Sequence, residues 1–284
     1  MALDDLLSDE ESLFASPGVL EIEYLPKLLP FREGQQKHMA ECISRLPSMG
    51  ANILIQGPPG VGKSACVRWI FRELKESEGE EAVPVYINCW RDNELHKIML
   101  SICAQFGINT SYRSPSELQS LVMQRLRSMK ALAFAFDEVD RAHDQMFLYQ
   151  FIEEIPHKCI FLVSTRRDWL ASLDSRIRSR LMPEVIDFRP YDRAQTWSIL
   201  EERKKYAFVP GCWEGPAFDK VADACFKSGD IRTGLALLKA SGMEAEKDAS
   251  RRIKPEHVAK AMERLAIRQE AEQAQAAKRI TDFS

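Results

Sequence analysis

Two short stretches of this chain carry residue types suited to phosphate chemistry. "GPPGVGKS", Gly57 to Ser64, has the spacing G-x-x-x-x-G-K-[ST] and lies between a strand-like run, "ANILIQ", and an amphipathic helical one. Gly57, Gly60 and Gly62, with Pro58, Pro59 and Val61 between them, let backbone N–H groups turn inward around a phosphate. The helix that follows the loop, with Ala65 near its start, adds its positive end. Lys63 supplies a cation for the β- and γ-phosphates of a nucleoside triphosphate, and the Ser64 hydroxyl suits Mg²⁺. The second stretch, "FAFDEVD", ends an apolar run in acids. Asp137 is placed to hold Mg²⁺, directly or through water, and Glu138 to orient an attacking water. Strand ends often carry acids, so the pair gains its meaning from the loop upstream. With Glu138 intact, hydrolysis is chemically allowed.

A third stretch, "STRRDWLASLDSRIRSRL", follows another apolar run, "CIFLV". A hydroxyl at that strand end would reach a γ-phosphate and its water; Thr165 is the first choice and Ser164 the second. Arg166, Arg167, Arg176, Arg178 and Arg180 then make the most basic local stretch, with Asp168 and Asp174 against them. A solvated basic helix is the plain alternative. The sharper reading is an arginine that reaches a neighbouring subunit's nucleotide and stabilises transition-state charge.

The elements that must position these residues show in the hydrophobic pattern. "ANILIQ", "AVPVYINCW", "ALAFAFDEVD" and "CIFLVST" read as buried strands, and helical spacing lies between them: Met39, Ile43 and Leu46, then about 92–106 and 115–130, the last opened by the capping pattern "SPSE". Such alternation predicts an α/β fold, a parallel sheet with helices on both faces. From Ala194 to about Leu265 the pattern is wholly helical. The expected domains are an acidic flexible tail over 1–17, a nucleotide-binding core over 18–189, a small helical domain over 190–265 and a helical or disordered tail over 266–284. Composition agrees with a soluble protein: 284 residues, 45% hydrophobic and 29% charged. A net charge of −3 gives no global field toward DNA or acidic membranes. The seven cysteines lack CxxC or His spacings, which fits reduced thiols. No leader is seen and the longest apolar runs are too short for a bilayer, so no membrane partner and a cytoplasmic location are expected, nucleoid-associated in a prokaryote or nuclear in a eukaryote.

With these residues in order, the chain resembles the AAA+ ATPases, and within them the archaeal replication initiators of the origin-recognition-complex and cell-division-control type. "LPFREGQ" is similar to that family's nucleotide-base segment, which would set Pro30, Phe31 and Arg32 near adenine. "RDNELHKIMLSICAQFGI" occupies the place of the helical insertion that contacts DNA in that family. "LDSRIRSRL" resembles its arginine-finger segment, which makes Arg180 the finger and Arg176 the next choice. "FRPYDRAQTWSILEERKKYAF" is similar to the start of its lid domain, so Tyr191 joins the nucleotide-binding set. "SGDIRTGLALLKASGMEAE" looks like its sensor-2 helix, and Arg232 would contact the γ-phosphate from the same chain. The resemblance covers about 18–265.

Departures from the family pattern shape the expectations. Thr165 stands where the family usually has asparagine. The insertion is poor in cations: Arg91, His96 and Lys97 are offset by Asp92 and Glu94, so duplex DNA binding through about 91–106 is expected to be weak, or to run through a partner. The stretch after Leu265 is too short for the family's winged-helix domain. The resemblance implies ATP and Mg²⁺ bound between core and lid, slow assembly-dependent hydrolysis to ADP and phosphate, and service as a switch in origin recognition or helicase loading. Its partners would be copies of itself or homologous AAA+ subunits through Arg180, double-stranded DNA, and a replicative helicase. Two alternatives stand: a non-catalytic nucleotide-binding scaffold or regulatory subunit, and an ATPase serving a mobile element. Of the five tryptophans, Trp90 leads into the insertion, and the others read as core or domain-seam residues. His143 reads as a surface loop residue.

Overall fold

The alternation in "ALAFAF" decides how the central sheet is dressed. Side chains on a strand point to opposite faces in turn. Ala131, Ala133 and Ala135 therefore share one face, and Leu132, Phe134 and Phe136 the other, all buried. The small face admits close helices; the aromatic face is filled by large side chains, with Phe136, Phe147 and Phe151 meeting at centroid distances of 5.1 to 6.2 Å. The computed structural model describes residues 12–46, 49–77, 82–111 and 113–266. Of the tails expected over 1–17 and 266–284, residues 1–11 and 267–284 lie outside these.

Lys27–Pro190 forms one compact unit. Its five parallel strands are β1 (Ala51–Gln56), β2 (Val83–Asn88), β3 (Leu132–Asp137), β4 (Lys158–Ser164) and β5 (Glu184–Asp187), in the order β2-β3-β4-β1-β5. Helices α1 (Glu33–Ser44) and α2 (Lys63–Glu76) cover the alanine face through Met39, Ile43, Val67 and Ile70. Helices α3 (Leu95–Phe106), α4 (Pro115–Arg127) and α5 (Met146–Glu154) cover the aromatic face, joined by the short α6 (Trp169–Ser172) and α7 (Ser175–Leu181). The "SPSE" capping box is formed: Ser114 accepts from the Glu117 N–H, and the Glu117 carboxylate accepts from the Ser114 N–H. The fold is the α/β sheet expected.

One strand is not legible in the sequence. β5 buries only Ile186, so as an edge strand it shows no apolar run. It pairs with β1 from Ile53↔Glu184 to Gln56↔Asp187.

The second unit is helical: α8 (Arg193–Ala207), α9 (Gly215–Ser228), α10 (Ile231–Lys247) and α11 (255–266), together with residues 12–26. The sequence reading put residues from 18 onward in the nucleotide-binding core and left 1–17 as a tail. Leu13, Val19 and Leu20 are instead buried in the helical unit's core beside Leu200, Phe208, Leu235 and Leu238. The Ala15 N–H donates to the Ala207 carbonyl at 2.9 Å, and Phe14 bridges Phe208. Leu13, Val19 and Leu20, with Phe14 packed beside them, dock the stretch, each buried side chain worth about 1.5–3 kcal/mol when fully buried. No helix among the described residues is long and apolar enough to cross a membrane.

Candidate nucleotide-binding site

The loop from β1 to α2 holds its shape through backbone conformations that favour glycine. Gly60 and Gly62 have φ of 73° and 90°, in the left-handed region. Gly57, at φ 151°, runs against β5's continuation: a Cβ there would lie 2.3 Å from the Phe188 carbonyl oxygen. Phe188 is itself anchored, its N–H donating to the Gln56 carbonyl at 2.7 Å. Val61 is buried, and Ala65 sits in the first turn of α2. That turn presents its N–H groups and the helix's positive end toward the loop.

Lys63 is only 6% exposed, and its ammonium donates to the carbonyls of Gly57 and Pro58, both at 2.7 Å. The Ser64 hydroxyl donates to Asp137 Oδ1 at 3.0 Å. Strand parity explains this: Asp137 continues the alanine side of β3, the side that α2 covers, so its carboxylate faces the loop. Asp137, 3% exposed, also accepts from its neighbour's Glu138 N–H at 3.1 Å and from the Tyr86 hydroxyl. Sequence reading missed Tyr86. Its signal was parity too: in "VPVYIN", Val85 and Ile87 face the aromatic-side core while Tyr86 packs on the loop side. Burial, and then the Asp137 carboxylate, push the phenol's pKa well up, so it stays a donor.

Glu138 has φ 54° and ψ 43°, left-handed without being glycine. Such strain persists only where the surroundings impose it, and it gathers at functional sites. Beyond it, Asp140 is a third acid that sequence reading passed over. Thr165 Oγ1 donates to Asp140 Oδ2 at 3.4 Å, while Asp140 Oδ1 is buried with no hydrogen-bond partner among the described residues. Ser164 is fully buried and spends its hydroxyl on the turn, accepting from the Arg166 N–H at 3.0 Å.

Arg32 is 5% exposed, beneath the loop. It donates to the Val61 carbonyl at 3.2 Å and the Arg189 carbonyl at 2.7 Å, and lies 5.1 Å from the Phe188 ring centre. It thus braces the phosphate loop, whatever it adds toward a base. Phe31, beside the half-buried Pro30, is 36% exposed at φ 65°.

The arginines after β4 are paired locally. Arg166 binds Asp168 at 2.7 Å, Arg167 binds Asp187 at 3.4 Å, Arg176 binds Asp174 at 3.1 Å, and Arg178 donates to the Ala171 carbonyl at 2.9 Å. Arg180, on α7, is ion-paired to Glu153 and lies 5.1 Å from the Tyr149 ring centre, both on α5. In the helical unit, to which Tyr191 belongs, Arg232 pairs with Asp230 at 2.6 Å; Asp230 also caps α10 by accepting the Arg232 N–H. Trp169 is fully buried, whereas Trp90 is 60% exposed under Arg141 at 4.7 Å. His143 is exposed, 3.6 Å from Glu94.

The residues fit a Mg²⁺–nucleotide. Ser64 and Asp137 offer hard oxygen donors side by side, and the buried Lys63 ammonium, which donates to two loop carbonyls, precedes Ser64 in the chain.

Comparison with known proteins bears on the whole chain. An AAA domain model matches residues 48–160, and a model of the Cdc6 AAA+ ATPase-type lid domain matches 197–263. An ORC1-type DNA replication protein 2 of Methanosarcina acetivorans is 32% identical over 280 residues, covering 93% of this chain and 74% of that protein. The chain belongs to the archaeal ORC1/Cdc6-type family of AAA+ initiators. The ORC1-type relative in Methanosarcina mazei is 31% identical, with the same coverage. Among solved structures, the Aeropyrum pernix ORC1 protein in complex with DNA superposes with a TM-score of 0.80 at 26% identity, over 90% of this chain and 71% of that one. As an ORC1/Cdc6-type AAA+ protein the chain is a nucleotide-binding replication protein, and its two units are the AAA+ sheet and the helical lid.

Proposed function

We propose that this chain binds ATP with Mg²⁺ and hydrolyses it as an assembly switch in DNA replication, in origin recognition or helicase loading. The observation that carries the reading is the meeting of Lys63, Ser64, Asp137 and Glu138 where β1 and β3 end. Lys63 exchanges its loop carbonyls for β- and γ-phosphate oxygens. Ser64 and Asp137 hold the Mg²⁺, which when bound neutralises phosphate charge. Tyr86 fixes the carboxylate from behind. Glu138 orients the attacking water and takes its proton; Thr165, shorter than asparagine, helps to place that water.

Arg180 serves a neighbouring subunit's nucleotide rather than its own, and Arg232 senses the γ-phosphate from the lid of the same chain. Pro30, Phe31 and Tyr191 bind the base. The neighbouring subunit is a second copy or a homologous AAA+ chain. Duplex DNA is a further partner, which the DNA complex of the Aeropyrum pernix relative supports. Its contact runs through about 91–106, weakly for want of cations, or through a companion protein. A replicative helicase completes the proposed set.

ATP turnover measured at rising protein concentration, with and without duplex DNA, tests this. The expected result is a specific activity that climbs with concentration and falls sharply in Lys63→Ala at sub-saturating ATP. Full activity of strictly monomeric Arg180→Ala would remove the neighbour's arginine from the scheme, and no turnover under any condition would leave a nucleotide-binding scaffold.

A further inference from the structure

Where the edge strand β5 begins, α1 and β5 bring three unlike donors together. His38 and Cys42 are four residues apart on α1 and so lie on the same side of it. Glu184 opens β5. The imidazole nitrogen, the thiol sulfur and a carboxylate oxygen all lie within 4.8 Å of one another, and His38 Nε2 is 3.0 Å from Glu184 Oε2. No other three His, Cys, Asp or Glu side chains among the described residues bring ligand atoms so close.

We propose that His38, Cys42 and Glu184 bind a divalent transition-metal cation, Zn²⁺ in the first instance. One sulfur, one imidazole nitrogen and one carboxylate oxygen form a borderline-soft set. It suits Zn²⁺ and excludes Mg²⁺ and Ca²⁺, which require oxygen. Tetrahedral zinc, with bonds of about 2.0–2.3 Å, spaces its donors roughly 3–4 Å apart, so rotation of side chains alone closes the site. The burial gradient suits it also. Cys42 is 5% exposed, while the side chains of His38 and Glu184 are 43% and 62% exposed, so the sulfur lies at the bottom and water completes the fourth position from outside. A surface hydrogen bond joins His38 and Glu184, and the Cys42 sulfur, at the edge of the core, lies within 4.8 Å of both. As the sulfur–metal bond forms, the thiol proton passes to solvent.

The position gives the cation a structural role. α1 starts directly after Arg32, which holds Val61 and Arg189, and β5 runs directly into Phe188, which presses on Gly57. A cation between α1 and β5 ties together the two elements that back the phosphate loop.

The test is a Co²⁺ titration of the metal-stripped full chain without nucleotide, followed by absorption. Expected are tetrahedral d–d bands and a thiolate-to-Co²⁺ charge-transfer band, saturating at one equivalent and displaced by Zn²⁺. The charge-transfer band is specific to sulfur, so Co²⁺ at Ser64 and Asp137 cannot produce it. Cys42→Ala should remove it. His38→Ala, at a half-exposed position that spares the core, should weaken Co²⁺ binding at least about tenfold, the lower end of what even an outer-shell partner contributes. No thiolate band in the unsubstituted protein, its persistence in Cys42→Ala, or unchanged affinity in His38→Ala would each overturn the proposal.

Discussion

The strand-end residues Lys63, Ser64, Asp137 and Tyr86 and the two arginines proposed to act with them, Arg180 and Arg232, are held on different terms. Lys63, Ser64, Asp137 and Tyr86 are buried or half-buried; Ser64 and Tyr86 both donate to Asp137, and Lys63 donates to loop carbonyls of the segment where Gly57 lies against Phe188. Arg180 and Arg232 are 42% and 46% exposed and engaged with acids of their own chain, Glu153 and Asp230. Buried polar contacts are costly to break because their groups are left without partners. Exposed ion pairs contribute only about 0.2–1 kcal/mol, so an arginine can leave one for a phosphate at little cost. Folding alone thus sets the strand-end residues, whereas the roles proposed for Arg180 and Arg232 require each arginine to exchange a carboxylate for a phosphate.

Substitutions can break or sharpen that contrast. The largest expected effect is on chemistry: Glu138→Gln should bind ATP normally yet lose about 10²–10⁴-fold in turnover, the range for a positioned general base, as read by phosphate release and nucleotide titration together. Normal turnover in that variant would move the water-orienting role elsewhere, with Asp140 first in line. Lys63→Ala should weaken ATP binding by about one to two orders of magnitude, since a hydrogen bond to a charged group is worth roughly 1.5–3 kcal/mol.

Next comes the scaffold of the strand-end residues. Gly57→Ala should destabilise the sheet unit by about 1–3 kcal/mol, as overpacking and a forced backbone do, seen as an earlier denaturation midpoint. An unshifted midpoint would mean that Phe188 yields easily and the loop is less rigid than described. The smallest effect tests the arginines. Glu153→Gln should leave the monomer's stability within about 1 kcal/mol and raise assembly-dependent turnover by up to about fivefold, by releasing Arg180 from its ion pair. A fall in turnover would show that Glu153 guides the arginine rather than restrains it.

Much of this site was legible because it is written locally. The loop Gly57–Ser64 and the acids Asp137 and Glu138 follow from spacing beside an apolar run, and the "SPSE" cap and the stripe of Met39 and Ile43 behave as their patterns require. What escaped notice depends on partners distant in sequence. Tyr86 meets Asp137 only because β2 pairs with β3 in one register, Asn88 opposite Asp137. β5 is a strand only because β1 offers it an edge. Leu13 looks like one more leucine of an acidic tail, and Val19 and Leu20 like the start of the nucleotide-binding core, until the helical unit supplies their pocket.

By itself, then, the sequence determined the phosphate loop, the acids after β3, the strand–helix alternation and the resemblance to initiator ATPases, since each depends on residues near one another in the chain. Tertiary structure alone decided that Arg32 braces the loop, that Arg180 rests on Glu153 and Tyr149, and that His38, Cys42 and Glu184 meet. These are contacts between elements, and the free energy that selects them comes from packing and register, which hydrophobic periodicity does not encode.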